Sequence, residues 1–228
     1  MCKSLDWERG FPKGYGHTSI SFLKHCLCYE AAKNGDLDAA RFVVSRCVKQ
    51  DRLCELRENY PDAVLLPVLS RNQLPLALAL AIGLPIWIHV YLLQTVSRKL
   101  LSAAQRLLHI PIFIGYVQKD MKYILVDDVI TQGGTIAALR RFVKTQGGTV
   151  VAVVALAYAI GSHAVAPMKR IAVRLMLKFG MALILFLRML GIAVSVQGLT
   201  NSQAKYLLRF ASLDNIEKKL TQSAVYLL

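Results

Sequence analysis

An α/β fold with a mostly parallel central sheet is the fold class that this sequence of 228 residues predicts. Continuous apolar runs such as "AVLLPVL", "KYILV" and "TVVAVVALA" are typical of strands buried on both faces of a parallel sheet. Segments with helical spacing, such as "LPLALALAIG" and "GGTIAALRRFVKTQ", alternate with these strands along the chain. An apolar content of 55% also excludes a disordered chain.

The elements before the midpoint follow from their spacing and from their boundary residues. Residues 1–35 show no clear periodicity and are expected to form an N-terminal arm. An amphipathic helix is predicted from Asp36, which can cap it, to about Asn59, and Pro61 stops it. The strand "AVLLPVL", the loop "SRNQ", the helix "LPLALALAIG" and a second strand, "PIWIHVYLL", then form a β-loop-α-β unit.

The second half continues the alternation and then changes character. The stretch "TVSRKLLSAAQRLLH" is partly helical by period, and "IFIGYV" and "KYILV" are expected to form a hairpin through "QKDM". A helix and the strand "TVVAVVALA" complete a core that we assign to residues 36–163. Residues 164–228 are predicted to form a small C-terminal hood, with helix starts at Thr200 and Asp214 followed three residues later by Gln203 and Glu217.

The most apolar stretch, Leu74 to Leu93, and the five cysteines are each open to more than one interpretation. The stretch is long enough to span a membrane, but Pro75, Gly83 and Pro85 divide it, which favours a helix and a strand in a folded core. The odd number of cysteines without a regular framework favours reduced thiols, and the protein is expected to be cytoplasmic with no membrane association. The spacing of Cys26 and Cys28 is poor for zinc.

The protein is strongly basic, with 28 Lys and Arg against 14 Asp and Glu and a net charge of +14. Residues 164–228 carry nine basic and two acidic residues, a net +7, which is half of that excess. Such a balance favours anionic partners, either a phosphate-bearing substrate or nucleic acid, and charge alone does not choose between them. For nucleic acid we expect only weak, nonspecific attraction.

Two adjacent aspartates stand out because acids are rare around them. Between Ala63 and Leu213 the only acids are Asp120, Asp127 and Asp128. Val126 is expected to end a buried strand, which would place the pair at the rim where open α/β sheets bind ligands. The loop from Thr131 to Thr135 then leads into a helix start, where backbone N–H groups, the helix dipole and glycines that allow close approach favour a phosphate. A sugar phosphate would satisfy both the carboxylates and this loop.

The segment "ILVDDVITQGGT" closely resembles the diphosphoribosyl-phosphate signature of the type I phosphoribosyltransferases. The resemblance implies a type I phosphoribosyltransferase-like core, in which Asp127 and Asp128 bind the ribose 2′ and 3′ hydroxyls. The 5-phosphate would be held by the loop residues Thr131, Gln132, Gly133, Gly134 and Thr135. Mg²⁺ would accompany the pyrophosphate, held mainly by the substrate, with the two aspartates as indirect ligands.

The resemblance extends more weakly to two other segments, and in all it covers about residues 60–158. A loop that contacts pyrophosphate is expected at Leu69, Ser70, Arg71 and Asn72, and Arg71 is the only formal charge between Asp62 and Arg98. A mobile basic lid is expected near "QTVSRKLL", with Arg98 and Lys99 as catalytic candidates, although a solvated helix explains this segment equally well.

The resemblance implies an Mg²⁺-dependent phosphoribosyltransferase that transfers ribose 5-phosphate between diphosphoribosyl phosphate (PRPP) and a nitrogenous base, with release of pyrophosphate. The alternative is a PRPP-binding regulatory protein of the same fold that acts on nucleic acid without catalysis. The base is not identified by the sequence, because a few side chains in the hood would select it. The oligomeric state is left open, although dimers are common in families of this kind.

Overall fold

The computed structural model describes residues 13–93, 101–158, 165–193 and 195–225. Its strands are β1 (Lys13–Thr18), β2 (Val64–Pro67), β3 (Val90–Leu93), β4 (Ile112–Gly115), β5 (Lys122–Ile130) and β6 (Thr149–Tyr158). Its helices are α1 (Ile20–His25), α2 (Tyr29–Lys33), α3 (Leu37–Cys47), α4 (Gln50–Asn59), α5 (Leu74–Ile82), α6 (Ala103–Leu108), α7 (Gly134–Thr145), α8 (Lys169–Met189), α9 (Asn201–Leu207) and α10 (Leu213–Val225).

A four-stranded sheet in the order β1-β6-β5-β2 forms the centre of the molecule, and every pair of neighbouring strands in it is parallel. The predicted α/β class with a mostly parallel sheet flanked by helices is therefore confirmed. Because the strands are parallel, their carboxyl ends meet at one edge of the sheet. Strand β2 ends beside Val126 of β5, with the Val68 N–H donating to the Val126 carbonyl at 2.9 Å, and β5 continues beyond this point to Ile130.

Apolar layers cover both faces of this sheet. On one face, side chains of α3, α4 and α5 pack against alternate residues of the strands, among them Leu65, Ile124 and Val154. On the other face, α7 and the small sheet β3–β4 pack against Leu66, Leu125 and Val153. The apolar runs in the sequence thus reflect burial on both faces, as expected for parallel strands.

The predicted hairpin between "IFIGYV" and "KYILV" is wrong. Strand β4 pairs antiparallel with β3, with Tyr91 opposite Ile114, and these two strands form a separate sheet. Strand β5 instead lies between β2 and β6. The polar "QKDM" does form a turn, but it connects two sheets, because a turn signal fixes a reversal of the chain and not the partner of each strand.

The segment from Leu74 to Leu93 divides near the predicted point, although its second half is only partly a strand. Helix α5 ends at Ile82, and Gly83 follows it with a left-handed φ of 78°. Within "PIWIHVYLL" the strand Val90–Leu93 belongs to the antiparallel sheet. The segment also forms parallel bridges beside β2, from Ile86 to Leu65 and from Tyr91 to Leu69, so the predicted β-loop-α-β pairing is confirmed in part. None of the helices in the described parts of the chain combines the length and the apolar character needed to cross a membrane.

The single helix predicted between Asp36 and Asn59 is two helices. Asp36 caps α3 as expected, its side chain accepting a hydrogen bond from the Ala39 N–H at 2.9 Å. The helix ends at Cys47 with Val48 as its C-cap, and the Lys49 N–H donates to His17 Nδ1 of the neighbouring β1 segment at 3.2 Å. This break is marked by the hydrogen bond from the Lys49 N–H to His17, and not by a glycine or a proline.

Side chains from α8 to α10 form a third apolar cluster together with α6. Helix α8 is bent at Gly180, where φ is 62° and ψ is −158°. The predicted capping box before α9 is confirmed: Thr200 Oγ1 accepts from the Gln203 N–H, and the Thr200 N–H donates to Gln203 Oε1. At α10, Ser212 Oγ accepts a hydrogen bond from the Asn215 N–H. Asp214, which was predicted to cap this helix, lies in its first turn instead.

Candidate ligand site at the carboxyl edge of the sheet

The acid pair lies inside β5 and is buried. The strand continues to Ile130, so the expectation that Val126 ends it is wrong. Asp127 and Asp128 are only 7% and 6% exposed, and the pair is therefore not a solvated turn. Parallel pairing with β6 extends through Asp127 and beyond, and this keeps the aspartate backbone in the sheet.

The two aspartates face opposite sides of the sheet, since side chains alternate along a strand. Asp128 shares its face with Ile124 and Val126, which pack in the cluster that contains α2. There the Lys33 ammonium donates to Asp128 Oδ2 at 2.7 Å, and both side chains are largely buried. Asp127 lies on the other face, and its Oδ1 accepts a hydrogen bond from the Asp128 N–H at 2.9 Å.

The surroundings shift the pKa values of Asp127 and Lys33 for different reasons. Burial first, and then the charge of Asp128, raise the pKa of Asp127 well above its usual value. Burial disfavours the charged form of Lys33, but the charge of Asp128 and the hydrogen bond to it outweigh burial, and the pKa of Lys33 is raised. The site therefore combines a carboxyl that burial drives toward its neutral form with a charged ion pair.

The predicted phosphate loop runs directly from β5 into α7. Gly133 precedes the first residue of the helix with a left-handed φ of 75°. The helix has 12 residues, long enough for the N–H groups of its first turn to act as an anion site. The Oε1 atom of Gln132 is buried and accepts no hydrogen bond from the described part of the protein.

The C-terminal segment packs directly against this loop. A Cβ atom on Gly133 would lie 2.7 Å from Val165 Cγ1 and 3.5 Å from Thr200 Cγ2. The Ser202 hydroxyl donates to the Thr131 carbonyl at 3.2 Å. Glycine at 133 is therefore required both by the backbone conformation and by the close approach of Val165 and Thr200.

The segment predicted to contact pyrophosphate, Leu69 to Asn72, lies at the same edge of the sheet. Only Val68 separates it from Pro67, the last residue of β2, and Ser70 Oγ accepts from the Asn72 N–H at 3.2 Å. Arg71 is exposed, and its Nε donates to the Asn34 carbonyl at 3.0 Å. The structure thus brings this loop, the acid pair and the phosphate loop to one edge. The lid candidates Arg98 and Lys99 lie outside the described residues.

Two residues of the site were not predicted from the sequence. Lys33 lies 95 positions before Asp128, in a segment without periodicity, and no local signal points to it. Tyr158 ends β6, next to the acid pair, and its pKa is raised by burial and then by the charge of Asp127. Its position at the end of a predicted neighbouring strand was a usable signal, because parallel strands end at one edge.

The protein groups at this edge do not make a metal cage by themselves. Within the described ranges, no three His, Cys, Asp or Glu side chains come together as a metal site. Carboxylate oxygens suit Mg²⁺, but Lys33 engages Asp128 Oδ2. The described side chains at this edge therefore do not by themselves supply a set of ligands for a resident metal.

The arrangement suits a ligand with two different ends. Carboxyl groups at the end of β5 can accept hydrogen bonds from hydroxyls, while the start of α7 and the basic Arg71 favour anions. Burial of the two aspartates strengthens their interactions relative to water. A phosphorylated sugar has this distribution of hydroxyls and charge.

Comparisons with known proteins give partial likenesses. No family model matches the chain. Protein TraN of Escherichia coli is 32% identical over 145 residues, covering 59% of this chain and 32% of that protein. An uncharacterized protein of Haemophilus influenzae is 28% identical over 149 residues, covering 60% of this chain and 33% of that protein. The chain thus spans about a third of the length of these curated relatives.

Solved structures with some likeness include an adenine phosphoribosyltransferase, at 17% identity and a TM-score of 0.38, covering 55% of this chain and 72% of that one. A purine phosphoribosyltransferase from Pyrococcus horikoshii has 18% identity and a TM-score of 0.34, covering 64% and 78%. UMP synthase of Leishmania donovani has 16% identity and a TM-score of 0.33, covering 81% and 33%. TM-scores below 0.5 are too low to support an inference about this chain.

Proposed function

We propose that the chain is a phosphoribosyltransferase, which transfers ribose 5-phosphate between PRPP and a nitrogenous base and releases pyrophosphate. The observation that carries this proposal is the continuous unit of the acid pair, the loop from Thr131 to Thr135 and the start of α7. It supplies hydroxyl acceptors and an anion site within a few residues of one another. The loop at Leu69 to Asn72 supplies a second anion contact at the same edge.

In this reaction, a nitrogen of the base attacks the anomeric carbon as the bond from that carbon to the pyrophosphate oxygen breaks. The electron pair leaves with pyrophosphate, and the proton on the attacking nitrogen passes to solvent. Positive charge develops on the ribose ring, and the ionised carboxylate of Asp128 stabilises it electrostatically. Burial favours the neutral form of the Asp127 carboxyl, so its role is to position a ring hydroxyl by hydrogen bonding.

Arg71, in the loop after β2, stabilises the departing pyrophosphate. Mg²⁺ bound with the substrate would neutralise further charge on the diphosphate. Asp127 and Asp128 would contact such a metal only through the ligand or through water, because Lys33 already engages Asp128. Arg98 and Lys99 remain proposed as lid residues that close over the sugar and exclude water.

The test of this proposal is a panel of nucleobases, each incubated with the protein, labelled PRPP and Mg²⁺, with pyrophosphate release as the readout. At least one base should stimulate release well above the rate with PRPP alone, and a labelled nucleotide should form. PRPP binding with no release for any base would favour the regulatory alternative. No binding of PRPP would exclude both.

A regulatory protein that binds PRPP and nucleic acid is the second candidate, and the surface of α8 favours it. The basic side chains of this helix are exposed, among them Arg170, Arg174 and Lys178. No acidic residue lies between Asp128 and Asp214 to balance them. Titration of nucleic acid against the protein with and without PRPP, at several salt concentrations, separates the two candidates, because linked sites change each other's affinity equally.

A further inference from the structure

Helix α2 and Asn34, the residue after it, connect the two halves of the proposed site. Lys33 Nζ lies 2.7 Å from Asp128 Oδ2. One residue further on, the Asn34 carbonyl accepts from Arg71 Nε at 3.0 Å, and the Ala32 carbonyl accepts from the Gln73 N–H at 3.1 Å. A ligand that contacts both the acid pair and the loop at Leu69 to Asn72 would therefore lie against Lys33.

The ion pair of Lys33 is buried. Only 16% of the Lys33 side chain and 8% of the Asp128 side chain are exposed, and the ammonium lies 6.0 Å from the centre of the Tyr29 ring. Burying two charges costs desolvation energy that their attraction only partly repays, so such a pair is weak evidence for a purely stabilising role. A pair of this kind at a ligand site has a second use, because either charge can exchange its partner for the ligand.

We propose that Lys33 selects for the diphosphate of the sugar: it pairs with Asp128 in the free protein and transfers to the diphosphate when PRPP binds. This inference rests on the proposed function. Ribose hydroxyls need the Asp128 oxygens, and one of these is occupied by Lys33. PRPP frees that oxygen and compensates the ammonium with phosphate oxygens. Ribose 5-phosphate has no diphosphate, so it must displace the Lys33 ammonium from Asp128 without offering it a new anionic partner.

The chemistry of lysine suits this exchange. An ammonium is a compact charge on a flexible stem and binds phosphate as a point charge, so it can move between two anions without a fixed geometry. A charge-assisted hydrogen bond that forms with PRPP and is absent with ribose 5-phosphate changes their relative affinity by about tenfold to a hundredfold. Lys33 would thus determine ligand specificity without taking part in bond breaking.

The experiment measures the affinities of PRPP and ribose 5-phosphate by calorimetry in the presence of Mg²⁺. The variants are Lys33→Gln and Lys33→Arg, with Lys24→Gln, an exposed lysine of α1, as the matched control for charge. Lys33→Gln should weaken PRPP binding and leave ribose 5-phosphate binding unchanged or stronger, so that the preference for PRPP falls about tenfold or more. Lys33→Arg should retain most of the preference, and Lys24→Gln all of it.

Other outcomes separate the failure of this inference from that of the proposed function. If the wild type prefers PRPP and Lys33→Gln keeps the same preference, or weakens both ligands equally, Lys33 has only a structural role. If the wild type binds neither ligand, the proposed function and this inference both fail. Lys33→Met, which keeps an unbranched stem, gives the same comparison if Lys33→Gln does not fold.

Discussion

At the scale of single residues, Asp127 and Asp128 are neighbours in sequence but have different surroundings. Asp128 is paired with Lys33, whereas Asp127 is buried and receives a backbone N–H from its neighbour. Burial first, and then the charge of Asp128, raise the pKa of Asp127. Substitutions at the two positions should therefore have opposite effects on stability.

Asp127→Asn should raise the free energy of unfolding at neutral pH. A carboxyl whose folded pKa is raised loses stability as the pH rises above its unfolded pKa, and asparagine removes this cost. Asp128→Asn should lower the free energy of unfolding by roughly 2 kcal/mol or more, because Lys33 is left buried without its counter-ion. Urea denaturation at pH 7 measures both, and equal effects would contradict the different environments.

His17 should make the protein less stable in mild acid. Burial, followed by the charge of Arg52, lowers the pKa of His17 from 6.5 to about 4, and its Nδ1 accepts from the Lys49 N–H. The unfolded chain therefore binds more protons between these pH values, so stability present above pH 6.5 is lost as the pH falls toward 4. The loss is at most about 3 kcal/mol.

The measurement is urea unfolding of wild type and His17→Gln at several pH values from 7 to 4. Glutamine keeps an acceptor for the backbone of Lys49 but does not titrate in this range. The difference in unfolding free energy between the two proteins should change steadily in favour of the variant as the pH falls. A constant difference would show that His17 does not change its ionisation on folding.

At the scale of secondary structure, α8 distinguishes buried from exposed leucines two residues apart. Leu175 is fully buried in the third apolar cluster, whereas Leu177 is 83% exposed. Leu175→Ala should lower stability by about 2–5 kcal/mol, because apolar packing is removed and a cavity is left. Leu177→Ala, the matched control, should change it by about 0.5 kcal/mol or less. Thermal unfolding of both variants tests this, and similar losses would place the helix in another orientation.

The elements that the sequence predicted well are those with strong local signals. Helix α5 ends before Gly83, and Thr200 with Gln203 caps α9 as expected. The elements it missed depend on distant partners. The break after Val48 coincides with a hydrogen bond from Lys49 to His17, and the pairing of β4 with β3 required knowledge of the neighbours of β5. Neither relation has a local signal in the chain.

The candidate site shows the same division. The acid pair and the loop from Thr131 to Thr135 form one continuous motif, so their common location was predictable from the sequence. The contribution of Lys33 was not, since it comes from a distant helix. The role of Gly133 was only half predictable, because φ and phosphate approach suggest glycine, but the close approach of Val165 in the C-terminal segment adds a second requirement.

At the scale of the whole molecule, the net charge of +14 should produce weak attraction to nucleic acid. We expect binding that is independent of sequence and that fades near physiological salt, because released counter-ions drive it. Fluorescence anisotropy with random and varied oligonucleotides across salt concentrations measures this. A preference of about a thousandfold for one sequence, modulated by PRPP, would favour the regulatory candidate over the enzyme.

At the carboxyl edge of the sheet, the acid pair, the strand ends and the C-terminal segment all lie close to the loop after β5. Calorimetric titration of PRPP with Mg²⁺ into wild type, the double variant Asp127→Asn with Asp128→Asn, and Asp120→Asn tests this site most directly. Asp120 is the third acid of the acid-poor stretch, exposed in a turn, and serves as the control. Binding should be present in wild type and Asp120→Asn and absent in the folded double variant, whereas unchanged affinity in the double variant would contradict a ligand site at the acid pair.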